Sequence, residues 1–179
     1  MIELIRDRRS IRSYTSEPVG RESLDILIEA LLRAPSSRSI NPWEFVVVDE
    51  PTLLARLAAA KEHGSEFLKG APVGIVICAD GTRSDVWVED CSIAAILLQM
   101  TAQSLGLGSC WIQIRNRRHN PMISAESYVR SLLGLPEKIM VEAIIAIGHP
   151  AEKREPLPAG KLDYSKVKHH HYARTWRKG

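Results

Sequence analysis

The stretch DVWVEDCSIAAILLQMTAQSLGL, residues 85–107, decides how the rest of the chain is read. Uninterrupted by proline and closed by Gly106 and Gly108, it reads as the longest helix, about 34 Å long at about 1.5 Å per residue. Its middle, CSIAAILLQMTA, is apolar or small on nearly every side. A helix without a polar face belongs at the centre of a fold or in a subunit interface, not on a solvated surface. Around it, apolar strands and amphipathic helices alternate. GRESLDILIEALLRAP (20–35) carries Leu24, Leu27, Ile28, Leu31 and Leu32 at helical spacing and ends at Pro35. WEFVVVD and PVGIVICAD read as buried strands, with a helix from Pro51 to near Gly64 between them. Beyond the long helix come a strand SCWIQI, a charged loop RNRRHNP, a helix SAESYVRSLLG and a last strand IMVEAIIAIGHP.

A chain of 179 residues that is 45% hydrophobic and 25% charged suits one soluble domain with a sizeable core. The net charge of +3 is too small to imply nucleic acid, which needs a concentrated basic face. Cys78, Cys91 and Cys110 have no metal-type spacing and cannot all pair, so buried thiols in a reducing cytoplasm are expected. Arg6, Asp7 and Arg8 interrupt any apolar leader, and no stretch approaches the roughly 20 apolar residues of a membrane span. After Gly148 the pattern changes. Residues 151–179 are proline-rich and charged, with Leu162, Tyr164, Val167, Tyr172 and Trp176 spaced along them, as expected of an extension that wraps over another surface.

Four places carry candidate chemistry. RDRRSIRSY sets Arg6, Arg8, Arg9 and Arg12 beside Ser10 and Ser13, which suits either a solvated helix end or a grip on an anion. APSSRSINPWEF offers Ser36, Ser37, Ser39 and Asn41, as a capped turn or as a surface of side-chain donors. In GLGSCWIQI, Gly106 and Gly108 either cap a helix or let a flat ligand approach the backbone. His169, His170 and His171 are adjacent, which is poor geometry for one metal. Neither GxGxxG nor GxxxxGK[ST] is present, nor a nucleophile elbow, nor a convincing pair of carboxylates; Asp85 and Asp90, five apart, need not meet. Anion-binding material without a catalytic side chain or a metal site points to an enzyme whose cofactor performs the chemistry.

In order along the chain, RRSIRSY, APSSRSINPWEF, the long helix, GLGSCWI and AIGHPAEK resemble the nitroreductase family of FMN-dependent oxidoreductases. The resemblance implies an α+β, three-layer fold in which helices flank a central, mostly antiparallel sheet. It implies an intertwined homodimer with FMN at the interface, residues 1–150 forming the FMN-binding domain and residues 151–179 reaching the partner. Arg8, Arg9 and Arg12 would approach the FMN phosphate or ribityl chain, with Ser10 adding a hydroxyl. Ser36, Ser37, Ser39 and Asn41 would reach the flavin from the partner subunit. Gly108 would lie near the isoalloxazine, and Lys153 or Arg154 would complete the phosphate grip.

The implied reaction is a ping-pong transfer of hydride from NADH or NADPH, through flavin N5, to an electron-poor small molecule such as a nitroaromatic or quinone. No side chain acts as catalyst, and neither nucleic acid nor membrane takes part. Two positions depart from the family loop, which often has Asn at Ser39 and Gln at Asn41. The chain also lacks the long insertion that covers the flavin in larger members, leaving RNRRHNP as the local candidate to line the pocket. Reductive dehalogenation or dehydrogenation on the same fold, flavin binding without turnover, and a basic nucleic-acid-binding protein are the alternatives.

Overall fold

A computed structural model describes residues 1–176, so the end of the predicted extension, residues 177–179, lies outside the described residues. Helices α1 (Ile2–Asp7) and α2 (Arg21–Leu32) lead into β1 (Trp43–Val48), α3 (Pro51–Ala58) and β2 (Val73–Asp80). The long helix α4 (Trp87–Ser104) follows, then β3 (Gly108–Gln113), α5 (Ala125–Leu133) and β4 (Ile139–Gly148). The strands form one antiparallel sheet in the order β1-β2-β4-β3.

The two central strands are hydrophobic on both faces because each face has its own cover. Val73, Ile75, Ile77 and Ala79 of β2 join Ile145 and Ile147 of β4 against α2 and α4. Val76, Cys78, Val141, Ile144 and Ala146 turn the other way, towards α3 and α5. A bulge between Ile77 and Cys78 keeps this alternation in step with β4. Leu27, Leu31, Leu98, Ile75 and Ile145 are fully buried, each such side chain contributing about 1.5–3 kcal/mol of hydrophobic stabilisation.

The predicted central helix is α4, with Cys91, Ala94, Ala95, Leu98 and Ala102 buried while Ile93 and Ile96 remain 39% and 43% exposed. It thus serves the fold on one side and presents an apolar stripe on the other. The helix predicted from Pro51 to near Gly64 stops at Ala58. Its start is secure, because Pro51 occupies the first turn and Glu50 accepts hydrogen bonds from the amides of Thr52 and Leu53. Its continuation is lost to tertiary competitors. His119 Nδ1 lies 2.9 Å from the Ala59 carbonyl, and the Glu62 amide donates to the Arg118 carbonyl at 3.3 Å. Residues 59–64 therefore form turns docked against RNRRHNP.

From Ala151 to Glu155 the extension lies along residues 9–13. It then folds into short 3-10 turns and a hairpin, β5 (Lys168–His169) and β6 (His171–Thr175). The side chains of β6 are all exposed, as are Leu157, Leu162, Val167, Tyr172 and Trp176. The histidines sit in this hairpin, the rings of His169 and His170 3.8 Å apart, and no group able to hold a metal occurs among the described residues.

Candidate functional site

Two glycines bring the arginine segment onto the sheet. Gly108 of β3 pairs with Gly148 of β4. A Cβ at Gly108 would lie 2.9 Å from Ile11, and one at Gly148 would lie 2.5 Å from Pro72 and 3.0 Å from Tyr14. The missing side chains make room for residues 10–14 to cross the end of the sheet. There Ser10 bridges Ser109, the Ile11 amide donates to the Ser109 carbonyl at 3.0 Å, and the Thr15 amide donates to the His149 carbonyl at 2.9 Å. Buried Ile11 pins the segment, and the Tyr14 hydroxyl donates to the Ile11 carbonyl at 2.5 Å. Burial drives the Tyr14 pKa up, so that hydroxyl remains a donor.

Extended backbone alternates its side chains, and this alternation divides the four arginines. Arg8, Ser10 and Arg12 act on one thiol, that of Cys110. Burial raises its pKa, while the charges of Arg12, Arg8 and Lys61 and a Ser10 hydrogen bond oppose the rise. Arg9 goes the other way, donating to the Glu155 carbonyl and lining a shallow depression of about 160 Å³ with Gly106, Gly108, Lys153 and Arg154. Arg6 stays outside both groups, paired with Glu3 on the exposed face of α1.

Glu152 ties the two groups together. Its Oε1 accepts from the amides of Arg12 at 2.6 Å and Ser13 at 3.2 Å, and its Oε2 accepts from Arg154 Nε at 2.7 Å. These bonds, the Arg12 amide first, hold its carboxyl below the usual range. By contrast, the side chains of Arg8 and Lys61 make neither an ion pair nor a hydrogen bond among the described residues. Among the described residues the Arg12 guanidinium has only the ring of Phe67, 5.9 Å away, and Arg117 only the carbonyl of Asn116. Burial and the nearby Arg117 charge lower the Lys61 pKa. Unneutralised cations gathered beside a hydroxyl are a donor set for a phosphate dianion.

Lys61 and Arg117 were missed in the sequence as individual residues. Lys61 reads there as one more polar position on a helix, and only the early end of α3 turns it towards Cys110. RNRRHNP, predicted to line the pocket, brings Arg117 to this side. The signal available was the charge of that loop, without its direction.

The polar loop lies elsewhere. Ser36 Oγ donates to Asn41 Oδ1 at 2.6 Å and accepts from the Asn41 amide at 2.9 Å, closing the turn on itself. The loop is held from the start of α4. Asp90 Oδ1 accepts from the Ser37 amide at 2.8 Å, Arg38 pairs with Asp85 at 2.7 Å, and Arg83 donates to the Ile40 carbonyl at 2.7 Å. Asp85 and Asp90 do not meet each other, yet both anchor this loop. At its exit, Trp43 Nε1 is buried without an acceptor.

Gln103, near the other end of α4, lines the depression with Arg9. Asp90 and Gln103 are thirteen residues apart in one helix, about 20 Å along its axis. One subunit therefore brings Arg8, Ser10, Arg12, Lys153 and Arg154 to one end of α4. It leaves Ser36, Ser37, Ser39 and Asn41 at the other. All three cysteines are free and buried, and burial pushes the Cys78 thiol up to about 12, leaving the thiols protonated and inert.

Comparisons with known proteins agree with this geometry. The Nitroreductase family profile matches residues 5–62 and 53–149. The structure is similar to an FMN-dependent nitroreductase from Clostridium difficile R20291, at 46% identity and a TM-score of 0.94, covering 96% of this chain and 99% of that one. It is also similar to an NADPH:FMN oxidoreductase from Vibrio harveyi solved with NAD+, at 28% identity and a TM-score of 0.80, covering 96% and 77%. A Bacillus subtilis FMN reductase (NAD(P)H) is 32% identical over 195 residues, 94% of this chain and 72% of that protein.

Proposed function

The chain belongs to the nitroreductase family, and we propose from that premise that it is an NAD(P)H-dependent FMN oxidoreductase whose two flavin sites are each built from two subunits. Bound FMN supplies the redox chemistry, taking hydride from NADH or NADPH and passing electrons to an electron-poor acceptor, such as a nitroaromatic or quinone, in a ping-pong cycle. The residues present fit that group. Arg8, Arg12 and Lys61 make no ion pair among the described residues, and Ser10 adds a hydroxyl beside them. Arg9, Lys153 and Arg154 flank the depression on the opposite side of the segment. The cations beside Ser10 offset the charge of a phosphate, about −1.5 to −2 near neutral pH, whereas Arg154 and Lys153 are paired with Glu152 and Glu155. Gly108 and Ser109 lie directly under this segment, Gly108 lining the depression while Ile11 packs over its Cα.

The separation along α4 carries the two-subunit reading. A depression of about 160 Å³ is well below the roughly 300–1,000 Å³ of ordinary cofactor pockets, and the polar loop lies far from the cations. A second subunit whose α4 runs antiparallel would bring its Ser36–Asn41 loop to the first subunit's Arg12. The exposed stripe of Ile93 and Ile96, exposed Ile2 and Ile5 on α1, and the apolar side chains of the extension supply the surface for that pairing. We place residues 151–176 across the partner and the protein in the reducing cytoplasm, in keeping with three free thiols.

The test is Arg12→Ala in the purified protein. Wild type is expected to be yellow and dimeric, and its visible flavin band to bleach anaerobically on adding NADH or NADPH and return with an acceptor. Arg12→Ala is expected to remain dimeric while FMN affinity falls at least about tenfold, the loss of one charge-assisted bond of about 1.5–3 kcal/mol. A colourless wild type that takes up no FMN would overturn the function. Unchanged affinity in Arg12→Ala would overturn the assignment of the site.

A further inference from the structure

The loop that carries Ser36–Asn41 is bent in a way its residues do not favour. Arg38, Ser39 and Asn41 have φ of 52°, 54° and 49°, the left-handed region that a Cβ disfavours, and no glycine relieves any of the three. Such conformations persist only where surrounding structure enforces them, and they cluster at ligand sites. Two of the outside supports, Arg38 with Asp85 and Arg83 with the Ile40 carbonyl, are exposed and weakened by water. The third is different. Asp90 is 2% exposed, and a carboxylate is costly to bury unless hydrogen bonds hold it. Its Oδ1 accepts from the Ser37 amide at 2.8 Å and its Oδ2 from the Ser84 hydroxyl at 3.4 Å. The Ser37 amide immediately precedes the left-handed run.

We propose that Asp90 is a positioning residue for the flavin site, fixing the Ser37 amide and so holding the 38–41 turn in its ligand-ready shape before FMN arrives. This rests on the reading that the loop meets FMN. Asp90 does not touch the flavin; it acts through the loop it anchors. Because loop and arginines come from different subunits under that reading, Asp90 of one subunit governs flavin retention on the arginines of the other.

The experiment compares Asp90→Ala, Asp90→Asn and Asp85→Ala holoenzymes with wild type. FMN release on dilution is followed by the fluorescence of free flavin, amide exchange is followed over residues 36–41, and turnover is measured at saturating FMN. Asp90→Ala is expected to lose FMN affinity about tenfold, the scale of one buried charged hydrogen bond. Exchange should rise within 36–41 only, with kcat at saturating FMN retained. Asp90→Asn keeps an acceptor for the Ser37 amide and gains a donor towards Ser84, and is expected to restore affinity. Asp85→Ala, at an exposed pair, is expected to stay near wild type. Ser37→Pro, set against Ser37→Ala, removes the same amide with Asp90 intact, and Ser36 at ψ 159° accepts a following proline. That pair decides the matter if Asp90→Ala does not fold. Wild-type retention of FMN in Asp90→Ala, or in Ser37→Pro, overturns the inference alone. A wild type that binds no FMN overturns the flavin reading and this inference with it.

Discussion

Gly148→Ala tests whether the crossing of residues 10–14 over the sheet end builds the site. The added Cβ would lie 2.5 Å from Pro72 Cδ, 2.8 Å from Pro72 Cγ and 3.0 Å from Tyr14 Cδ1. Carbon atoms settle at about 3.5–4.0 Å, so something must yield by about 1 Å. A proline ring cannot swing aside, and the next residue, Val73, is already paired with Ile147. The strain therefore passes to the end of the sheet and to Tyr14, whose hydroxyl holds the Ile11 carbonyl. Overpacking of this kind costs about 1–3 kcal/mol. For a chain of this size that lowers Tm by about 2–4 °C for each kcal/mol. Moving Tyr14 also shifts Arg12 and Ser10, so FMN affinity is expected to fall together with Tm. Gly70→Ala is the control, since no atom lies within 4 Å of its new Cβ. Calorimetry and flavin titration of both variants are the assays. A Gly148→Ala protein that melts and binds FMN as wild type does would show that the segment is not positioned through this contact.

Two further predictions concern charge. Glu142 is 4% exposed and its Oε2 has no hydrogen-bond partner, while Arg115 Nε stands 3.9 Å away. Burial, the largest influence, raises its pKa above the ordinary 4.5, so the fold prefers the protonated acid; its contribution is present below pH 4.5 and lost as pH rises through the folded pKa. Glu142→Gln is accordingly expected to raise Tm at neutral pH and to flatten its decline above pH 4.5 in melts across a pH series; an unchanged pH profile would refute this. Arg6→Ala removes a surface pair with Glu3, so it is expected to cost under about 1 kcal/mol and to leave the FMN dissociation constant unchanged, separating Arg6 from Arg12 in the same titration.

The sequence made some parts of this architecture readable and hid others for physical reasons. Continuous apolar runs mark β2 and β4 because both of their faces are covered, and the all-round apolar centre of α4 follows from one face in the core and another carrying Ile93 and Ile96. Composition records burial directly, so these elements were legible. The end of α3 was not, because Ala-rich sequence favours continuing the helix and its stop depends on His119 and Arg118, nearly sixty residues away. The same long-range contact places Lys61, which explains why a lysine without special local context was passed over. Asp90 is related by side-chain spacing only to Asp85, and the two do not meet. Its partner is a backbone amide fifty-three residues earlier, and a backbone donor leaves no mark in side-chain spacing.

The division of the arginines has a similar origin, and it bears on how the site works. RDRRSIRSY reads as one basic patch because charge counts ignore direction. Extended backbone from Arg8 onward separates Arg8 and Arg12 from Arg9, and Glu152 then neutralises part of the cluster while fixing the backbone of Arg12 and Ser13. What remains outside any ion pair among the described residues, Arg8, Arg12 and Lys61, sets positive charge around Cys110. An anion entering among them would be attracted by each. The left-handed turn at the far end of α4 costs stability, and within its own subunit the contacts to Asp90, Asp85 and Arg83 hold it. Antiparallel pairing of two α4 helices under the proposed dimer would bring these two regions together twice, once at each end, with one flavin between each pair. In that proposed dimer the partner's loop would supply the cover that a long insertion gives in larger members, and Asp90 would keep that loop ready.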